Sequence, residues 1–246
     1  MGRRAWKNLV FTGPPGSGKS RTAAAVGQAY RKLGVLSSGH FLQVAAADLV
    51  GSGPEETGKL VSGAFEPASG GILMVSDAHA WDGLPDHGHQ VLRRLYEKLS
   101  EYRDALNNDL AVVLAGQAEP LRRLLHGSPP LAARFRAVID FPGYTPRQLT
   151  SIFVALADEA GLNLTTAARS KAAAVIARAE DGRGSGNARL AVGLLNQVTV
   201  LQARRVAAGS RRRTPVALST IIESDIPDCL DSGAALADHD RPGQYL

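Results

Sequence analysis

Residues 13–20 read Gly-Pro-Pro-Gly-Ser-Gly-Lys-Ser, and this stretch, the P-loop below, decides the fold. It matches the pattern G-x-x-x-x-G-K-[ST], in which glycines let backbone N–H groups curl around phosphate oxygens. An apolar run at 8–12 precedes it, and apolar residues at helical spacing follow it over 21–33. A strand, a glycine-rich turn and a helix in this order predict a site for the phosphates of a nucleoside triphosphate.

Residue types inside the P-loop suggest separate roles. Lys19 is placed to reach the β- and γ-phosphates, and the Ser20 hydroxyl to ligate Mg²⁺. The alternative, a glycine-rich turn that binds nothing, is disfavoured by the flanking strand and helix. The residues expected to complete an Mg-ATP site around these two are Pro15, Gly16, Ser17, Gly18 and Arg21.

The first 143 residues alternate short apolar runs with amphipathic stretches. This alternation predicts an α/β fold with a five-stranded parallel sheet covered by helices on both faces. Ligands of such sheets bind beyond the carboxyl ends of the strands, which is where the P-loop lies. Besides 8–12, strands are predicted at 40–45, 72–75, 110–115 and 137–141, helices at 59–68 and 90–106, and polar loops at 51–58 and 82–88.

After residue 143 the alternation stops and helical patterns take over. Thr145 can cap a helix that ends at Gly161, with Pro146 at its first position and Gln148 completing a capping box. Further helices are expected at 166–180 and 187–208. Three regions are therefore predicted, namely an α/β domain at 1–143, a small all-helical unit at 144–209, and a basic segment with a loosely ordered tail at 210–246.

Composition excludes several classes of protein. Of 246 residues, 44% are hydrophobic and 21% charged, which is inconsistent with wholesale disorder. No apolar run of about 18 residues exists, so no membrane insertion is expected. The single cysteine, Cys229, allows no internal disulfide and fits a cytoplasmic location. The net charge of +5 permits a polyanion as partner, but no helix-turn-helix signature follows the helical unit, so nucleic acid is not expected.

From about residue 8 to 208 the chain resembles the AAA+ ATPases, and within them the CbxX/CfqX branch, which contains the red-type Rubisco activases and the type VII secretion ATPases. The resemblance implies a five-stranded α/β domain, a helical lid with ATP between the two, and assembly of like or unlike subunits into a ring, expected to be a hexamer. The phrases that carry it lie at 9–20, 33–40, 47–51, 70–73, 113–116, 134–135, 140–142 and 186–189.

The resemblance also implies roles for three polar residues. Arg134 stands where the family has an arginine finger, which points at the γ-phosphate bound by a neighbouring subunit; the alternative is a surface arginine near Arg136. Arg189 stands where the family has sensor 2, which contacts the γ-phosphate in cis; the alternative is a solvated arginine at a helix start. Gln117 stands where the branch usually has tyrosine, and it is either a residue like sensor 1 or a plain polar loop residue.

Two departures from the family bear on catalysis. The third strand should end in Asp-Glu but reads Ser76-Asp77. Either Asp77 replaces the water-polarising Glu with a shorter side chain, or Asp77 serves Mg²⁺ and the water-activating acid is missing. Asp77 is therefore a candidate for both catalysis and metal binding. In addition, the loop at 52–56 holds two carboxylates where relatives have an aromatic residue that grips a polypeptide.

These observations predict a slow ATPase that couples nucleotide binding and hydrolysis to ring assembly and to remodelling of a partner protein. The alternative is a non-catalytic subunit, in which nucleotide gates assembly and a competent paralogue hydrolyses ATP. The chain begins at the first strand, without the N-terminal helices usual in relatives, as expected of a domain cut from a longer tandem protein. A third hypothesis is an AAA+ module that acts on DNA, which only the net positive charge of the chain favours.

Overall fold

The computed structural model describes residues 7–104, 109–183, 186–208 and 215–230. By their internal contacts these residues form two compact units. The first contains the chain up to Pro14 together with Gly18–Phe141, and the second contains Pro15–Ser17 together with the chain from Pro142 onward. The tip of the P-loop therefore belongs by contact to the second unit.

A five-stranded parallel sheet organises the first unit. Its strands lie in the order β2-β3-β4-β1-β5, as expected of an α/β fold in which crossover helices join parallel neighbours. Strand β1, which leads into the P-loop, pairs with both β4 and β5 and so lies inside the sheet. The strand bounds are β1 Leu9–Thr12, β2 Phe41–Ala45, β3 Ile72–Ser76, β4 Ala111–Gly116 and β5 Ala137–Asp140.

Alternating side chains along these strands feed two separate cores. Val75 and Leu114 lie in the core that also holds Leu95, whereas Met74 and Val113 lie in the core that also holds Ala23. Since Ala23 and Leu95 belong to different helices, the sheet is covered on both faces, as the sequence predicts. The helices are α1 Lys19–Lys32, α2 Pro54–Phe65, α3 Pro85–Asp104, α4 Ala118–His126 and α5 Pro129–Ala132, with 3₁₀ turns at Ala46–Leu49 and Ala78–Gly83.

Several helix bounds differ from the prediction. Helix α2 begins at Pro54 rather than at residue 59, because proline suits the first helical position and Glu55 and Glu56 complement the positive end of the helix. Helix α3 likewise begins at Pro85, inside the predicted polar loop. Helices α4 and α5 were absent from the prediction. Helix α4 carries Leu121, Leu124 and Leu125 at helical spacing, so its pattern could have been found, whereas α5 is only four residues long and too short to show a period.

The second unit is built on three long helices. Its core contains Leu149, Phe153 and Leu194, each fully buried. The capping box at its start is confirmed: Thr145 Oγ1 accepts from Gln148 N at 3.3 Å, and Thr145 N donates to Gln148 Oε1 at 2.9 Å. The elements are α6 Pro146–Glu159, α7 Thr166–Arg183, α8 Ala188–Ala208 and α9 Pro215–Ser219, with a small parallel sheet of β6 Asn163–Leu164 and β7 Thr220–Ile221.

The segment after α9 is ordered where the sequence predicts a loose tail. Ile221 and Ile226 lie in the core of the second unit. Asp225 is 1% exposed and accepts hydrogen bonds from Arg205 Nε at 2.7 Å and Nη2 at 2.9 Å. Residues 211–213 and 231–246 lie outside the described residues. None of the helices in the described ranges is long and apolar enough to cross a membrane.

Candidate functional site

The P-loop connects β1 to α1, as the motif requires. Gly13 N donates to Gly116 O at 3.0 Å, so the loop starts beside the end of β4. Gly13 has φ 140°, and a Cβ there would lie 2.1 Å from Phe141 O, so only glycine fits. Gly18, with φ 95°, immediately precedes the first turn of α1. The loop therefore leads directly into the N-terminus of a 14-residue helix, and a helix N-terminus suits an anion.

Lys19 brings its positive charge back over the start of the loop. Its Nζ donates to Gly13 O at 2.9 Å and to Pro14 O at 2.7 Å, and the side chain is half-buried. Ser20 follows, half-buried, in the first turn of α1, and Arg21 is exposed. The structure therefore holds a cation and a hydroxyl beside the glycine-rich turn. This donor set fits nucleotide phosphates with their Mg²⁺.

The tip of the P-loop is hydrogen-bonded by residues far along the chain. Asn187 Nδ2 donates to Pro15 O at 2.9 Å, and Ala188 N donates to Gly16 O at 3.1 Å. Tyr144 Oη donates to Ser17 O at 3.1 Å. The Asn187 side chain is fully buried, and its Oδ1 also accepts from Tyr144 N at 2.9 Å. Sequence reasoning assigned no role to Asn187 or Tyr144, although Asn187 lies within the phrase 186–189.

Gly16 shows how closely the tip packs in the second unit. Its φ is 72°, and a Cβ would lie 2.7 Å from Gly186 O. Such a Cβ would also lie 3.5 Å from Arg189 Cγ, so this predicted γ-phosphate sensor stands beside the P-loop tip. Arg189 itself is exposed at the start of α8. Arg189 and the tip of the P-loop therefore lie side by side within the second unit.

Ser76 and Asp77 mark the end of β3. Ser76 is the last residue of the strand, and its Oγ donates to Val44 O at 3.3 Å. Asp77 is exposed and has left-handed backbone angles, φ 54° and ψ 29°, which aspartate tolerates better than most residues. Its carboxylate has no hydrogen-bond or ion-pair partner among the described residues. It is therefore available to a hydrated metal or to an attacking water.

Gln117 and His79 lie near this edge as well. Gln117 directly follows β4 and is exposed, and no side-chain capping bond holds it. His79 packs against Gly116, where an added Cβ would lie 2.8 Å from His79 Nδ1. That nitrogen is buried and finds no hydrogen-bond partner in the part of the chain that the structure describes. His79 is a polar group of this edge to which the sequence assigned no role in nucleotide binding.

Arg134 is engaged within its own chain. Its guanidinium lies 5.1 Å from the centroid of the Tyr96 ring and donates to Ser100 Oγ at 2.8 Å. Both partners belong to α3, and the arginine is half-buried. To act on a nucleotide in a neighbouring subunit, Arg134 has to leave these contacts.

The loop at 52–56 is fixed by its own acid. Glu56 accepts hydrogen bonds from Ser52 N at 2.7 Å and from Ser52 Oγ, and these bonds hold the pKa of Glu56 below its ordinary value. Gly51 N donates to the buried hydroxyl of Thr57 at 3.1 Å. The carboxylate of Glu56 thus holds the turn that precedes α2, which is a structural use of this acid.

Comparison with known proteins identifies two family models along the chain. The model for the ATPase family associated with various cellular activities (AAA) matches residues 9–142, and the AAA lid domain matches residues 145–235. The lid match includes residues 215–230, which the structure also packs into the second unit.

Individual relatives agree with this assignment. A CfxQ homologue of Trieres chinensis is 31% identical over 202 residues, 81% of this chain and 68% of the relative. CbbX of Cereibacter sphaeroides is 29% identical over 89% of this chain and 71% of its own. The chloroplastic ribulose bisphosphate carboxylase/oxygenase activase of Cyanidioschyzon merolae is 29% identical over 89% of this chain and 75% of its own. The crystal structure of the FIGL-1 AAA domain shares the fold, with a TM-score of 0.54 at 17% identity over 93% of this chain and 74% of that one.

Proposed function

Because the chain belongs to the AAA family of ATPases, in its CbxX/CfqX branch, we propose that it binds Mg-ATP through its P-loop and hydrolyses it slowly. The observation that carries this proposal is the P-loop itself, with Gly13 and Gly16 in conformations that only glycine adopts easily and Lys19 folded over the turn. A glycine-rich turn with no ligand has no need of a half-buried ammonium held by two carbonyls.

Each residue of the loop has a definite task in this proposal. Lys19 exchanges the carbonyls of Gly13 and Pro14 for phosphate oxygens, so its charge is already near its point of use. The backbone N–H groups of the turn bind the β-phosphate, and Ser20 offers its hydroxyl to the metal. Mg²⁺, when bound, neutralises charge on the phosphates. Arg189 closes on the γ-phosphate, and Gln117 orients water or phosphate from the end of β4.

Slow hydrolysis follows from the end of β3. Ser76 is neutral, and a neutral hydroxyl is a poorer partner than a carboxylate for a hydrated dication. Asp77 is then the acid left at this edge to polarise the attacking water, and it is one methylene shorter than the glutamate of relatives. Errors of about 1 Å in such positioning cost roughly 100-fold in rate. We therefore propose that binding is retained and that hydrolysis is slow.

Coupling of the nucleotide to a partner protein is the second part of the proposal. We propose that the chain assembles into a ring and that Arg134 acts in trans on the nucleotide of a neighbouring subunit. The client is a protein, although the loop at 52–56 lacks an aromatic side chain to grip it. The relatives' names point to different processes: one is a Rubisco activase, whereas another is stage V sporulation protein K of Bacillus subtilis.

Steady-state Mg-ATP turnover of the purified protein tests the proposal, with Lys19→Ala as the blank. We expect wild-type turnover to be low but clearly above the blank, and Mg-ADP to bind the wild type in calorimetry but not Lys19→Ala. Absence of nucleotide binding by the wild type would refute the proposal altogether.

A non-catalytic assembly subunit is the alternative that a specific observation favours. The hydroxyl of Ser76 donates a hydrogen bond to Val44 O, so the residue at the position where relatives hold the metal-bound water makes a structural bond instead. In this case the wild type binds Mg-ADP but turns over no faster than Lys19→Ala. Nucleotide-dependent assembly, measured by light scattering, would then be the activity to pursue.

A further inference from the structure

Three successive carbonyl groups at the tip of the P-loop accept hydrogen bonds from three donors of the lid. Pro15 O accepts from Asn187 Nδ2, Gly16 O from Ala188 N, and Ser17 O from the Tyr144 hydroxyl. All three distances lie between 2.9 and 3.1 Å. We call these three bonds the carbonyl clamp.

The carbonyl clamp has a consequence for the other side of the same peptide groups. A trans peptide is planar, with its C=O and N–H pointing in opposite directions. Because the three carbonyls point toward the lid donors, the N–H groups of Gly16, Ser17 and Gly18 point away from them. A row of N–H groups with one common direction is the arrangement that binds an anion.

Asn187 is shaped for this task rather than for ordinary packing. Its side chain is fully buried, donates to Pro15 O and accepts from Tyr144 N, both at 2.9 Å. Asn187 also has φ 50°, a left-handed conformation that asparagine tolerates and most residues avoid. One amide therefore connects the P-loop tip with the start of the lid and fixes the backbone that presents Ala188 N.

We propose that Asn187 and Tyr144 are positioning residues of the nucleotide site, which hold the P-loop tip so that its N–H groups face the phosphates. This inference rests on the proposed nucleotide binding and adds residues that do not themselves touch the ligand. It also makes phosphate affinity depend on the lid, because two of the three bonds come from the sequence 187–188 at the start of α8.

Tyr144→Phe tests the proposal with the smallest change, since it removes one hydroxyl and keeps the ring. Losing one neutral hydrogen bond that orients the site should weaken Mg-ADP binding about fivefold in calorimetry. Asn187→Gly keeps a residue that tolerates the left-handed backbone, removes the bonds to Pro15 O and Tyr144 N, and should weaken binding about 30-fold. The melting temperature of ligand-free Tyr144→Phe should stay within about 2 °C of the wild type.

Tyr102→Phe is the matched control. It also removes a tyrosine hydroxyl that donates to a backbone carbonyl, Phe65 O at 3.5 Å, but in the first unit and away from the P-loop. We expect it to bind Mg-ADP like the wild type. If Tyr144→Phe and Asn187→Gly both bind Mg-ADP as tightly as the wild type, or more tightly, the proposal is overturned. If the wild type itself fails to bind Mg-ADP, the proposed function falls first, and that result is visible without either variant.

Discussion

Lengthening Asp77 by one methylene should make this protein a faster ATPase. The carboxylate of Asp77 is exposed at the end of β3, with no hydrogen-bond or ion-pair partner among the described residues. In Asp77→Glu the acid moves outward by up to one C–C bond, about 1.5 Å. Because a 1 Å misplacement costs roughly 100-fold in rate, we expect kcat to rise between about 10- and 100-fold.

The same substitution should cost a little stability. Asp77 has left-handed backbone angles, in which aspartate is favoured by its short polar side chain and glutamate is not. The expected loss is about 1 kcal/mol in the free energy of unfolding. A variant that is less stable and yet faster would separate a catalytic effect from a general improvement of the fold.

The assay is steady-state phosphate release at saturating Mg-ATP, with Lys19→Ala as the blank and Asp77→Asn as the charge control. Asp77→Asn should fall to the blank, and Ser76→Asp combined with Asp77→Glu should exceed Asp77→Glu alone because it adds a charged group for the hydrated metal. If Asp77→Asn keeps the wild-type rate while Asp77→Glu gains nothing, Asp77 does not polarise the attacking water.

Three other expectations follow from particular contacts. Arg134→Ala and Lys19→Ala should each be inactive, but a mixture of the two should regain turnover if Arg134 acts in trans, and no recovery would exclude that role. Ser100→Ala, which removes one of the two partners of Arg134 within the chain, should stay active. Arg205→Ala leaves the carboxylate of Asp225, which is 1% exposed, without its cation, so urea unfolding of the second unit should show a loss of about 3 kcal/mol in unfolding free energy. The control Arg204→Ala, at an exposed position, should lose less than about 0.5 kcal/mol, and equal losses in the two variants would contradict the expectation. Burial lowers the pKa of Lys7 from 10.5 to about 8, so the folded protein binds fewer protons than the unfolded chain between these values and gains stability as pH rises. From pH 7 to 9.5 the wild type should gain about 2 kcal/mol in unfolding free energy relative to Lys7→Met, and a constant difference would show that the Lys7 pKa is ordinary.

The P-loop and the sheet were predictable because their signals are local. A few neighbouring residues are enough to predict the structure at 8–12, at 13–20 and at 72–75. The structure confirms the five-stranded parallel sheet. The capping box at Thr145 was predictable for the same reason, since its two bonds span three residues. The start of α2 at Pro54 could have been found too, because proline followed by two glutamates is a common helix beginning.

The contacts that the sequence did not reveal are long-range. Asn187 and Pro15 are separated by 172 positions, and Tyr144 and Ser17 by 127, so no periodicity in a single sequence pairs them. The packing of residues 221–226 also depends on long-range contacts. Asp225 pairs with Arg205, and Ile221 and Ile226 lie in a core formed with earlier helices. Without knowledge of the Arg205 partner, the sequence around Asp225 has no pattern that distinguishes it from a loose tail.

The two parts of the nucleotide site therefore differ in what holds them. The positions of Lys19 and Ser20 are set by the local motif, because the strand before it and the helix after it place both side chains. The carbonyls of Pro15, Gly16 and Ser17 are hydrogen-bonded by residues 144 and 187–188 of the lid, and we infer that these bonds set the direction of the N–H groups at the loop tip. If those N–H groups bind a nucleotide's phosphates, as we propose, a lid change that alters the carbonyl clamp also alters affinity. By linkage, phosphate binding of this kind would favour the lid arrangement that keeps the clamp intact.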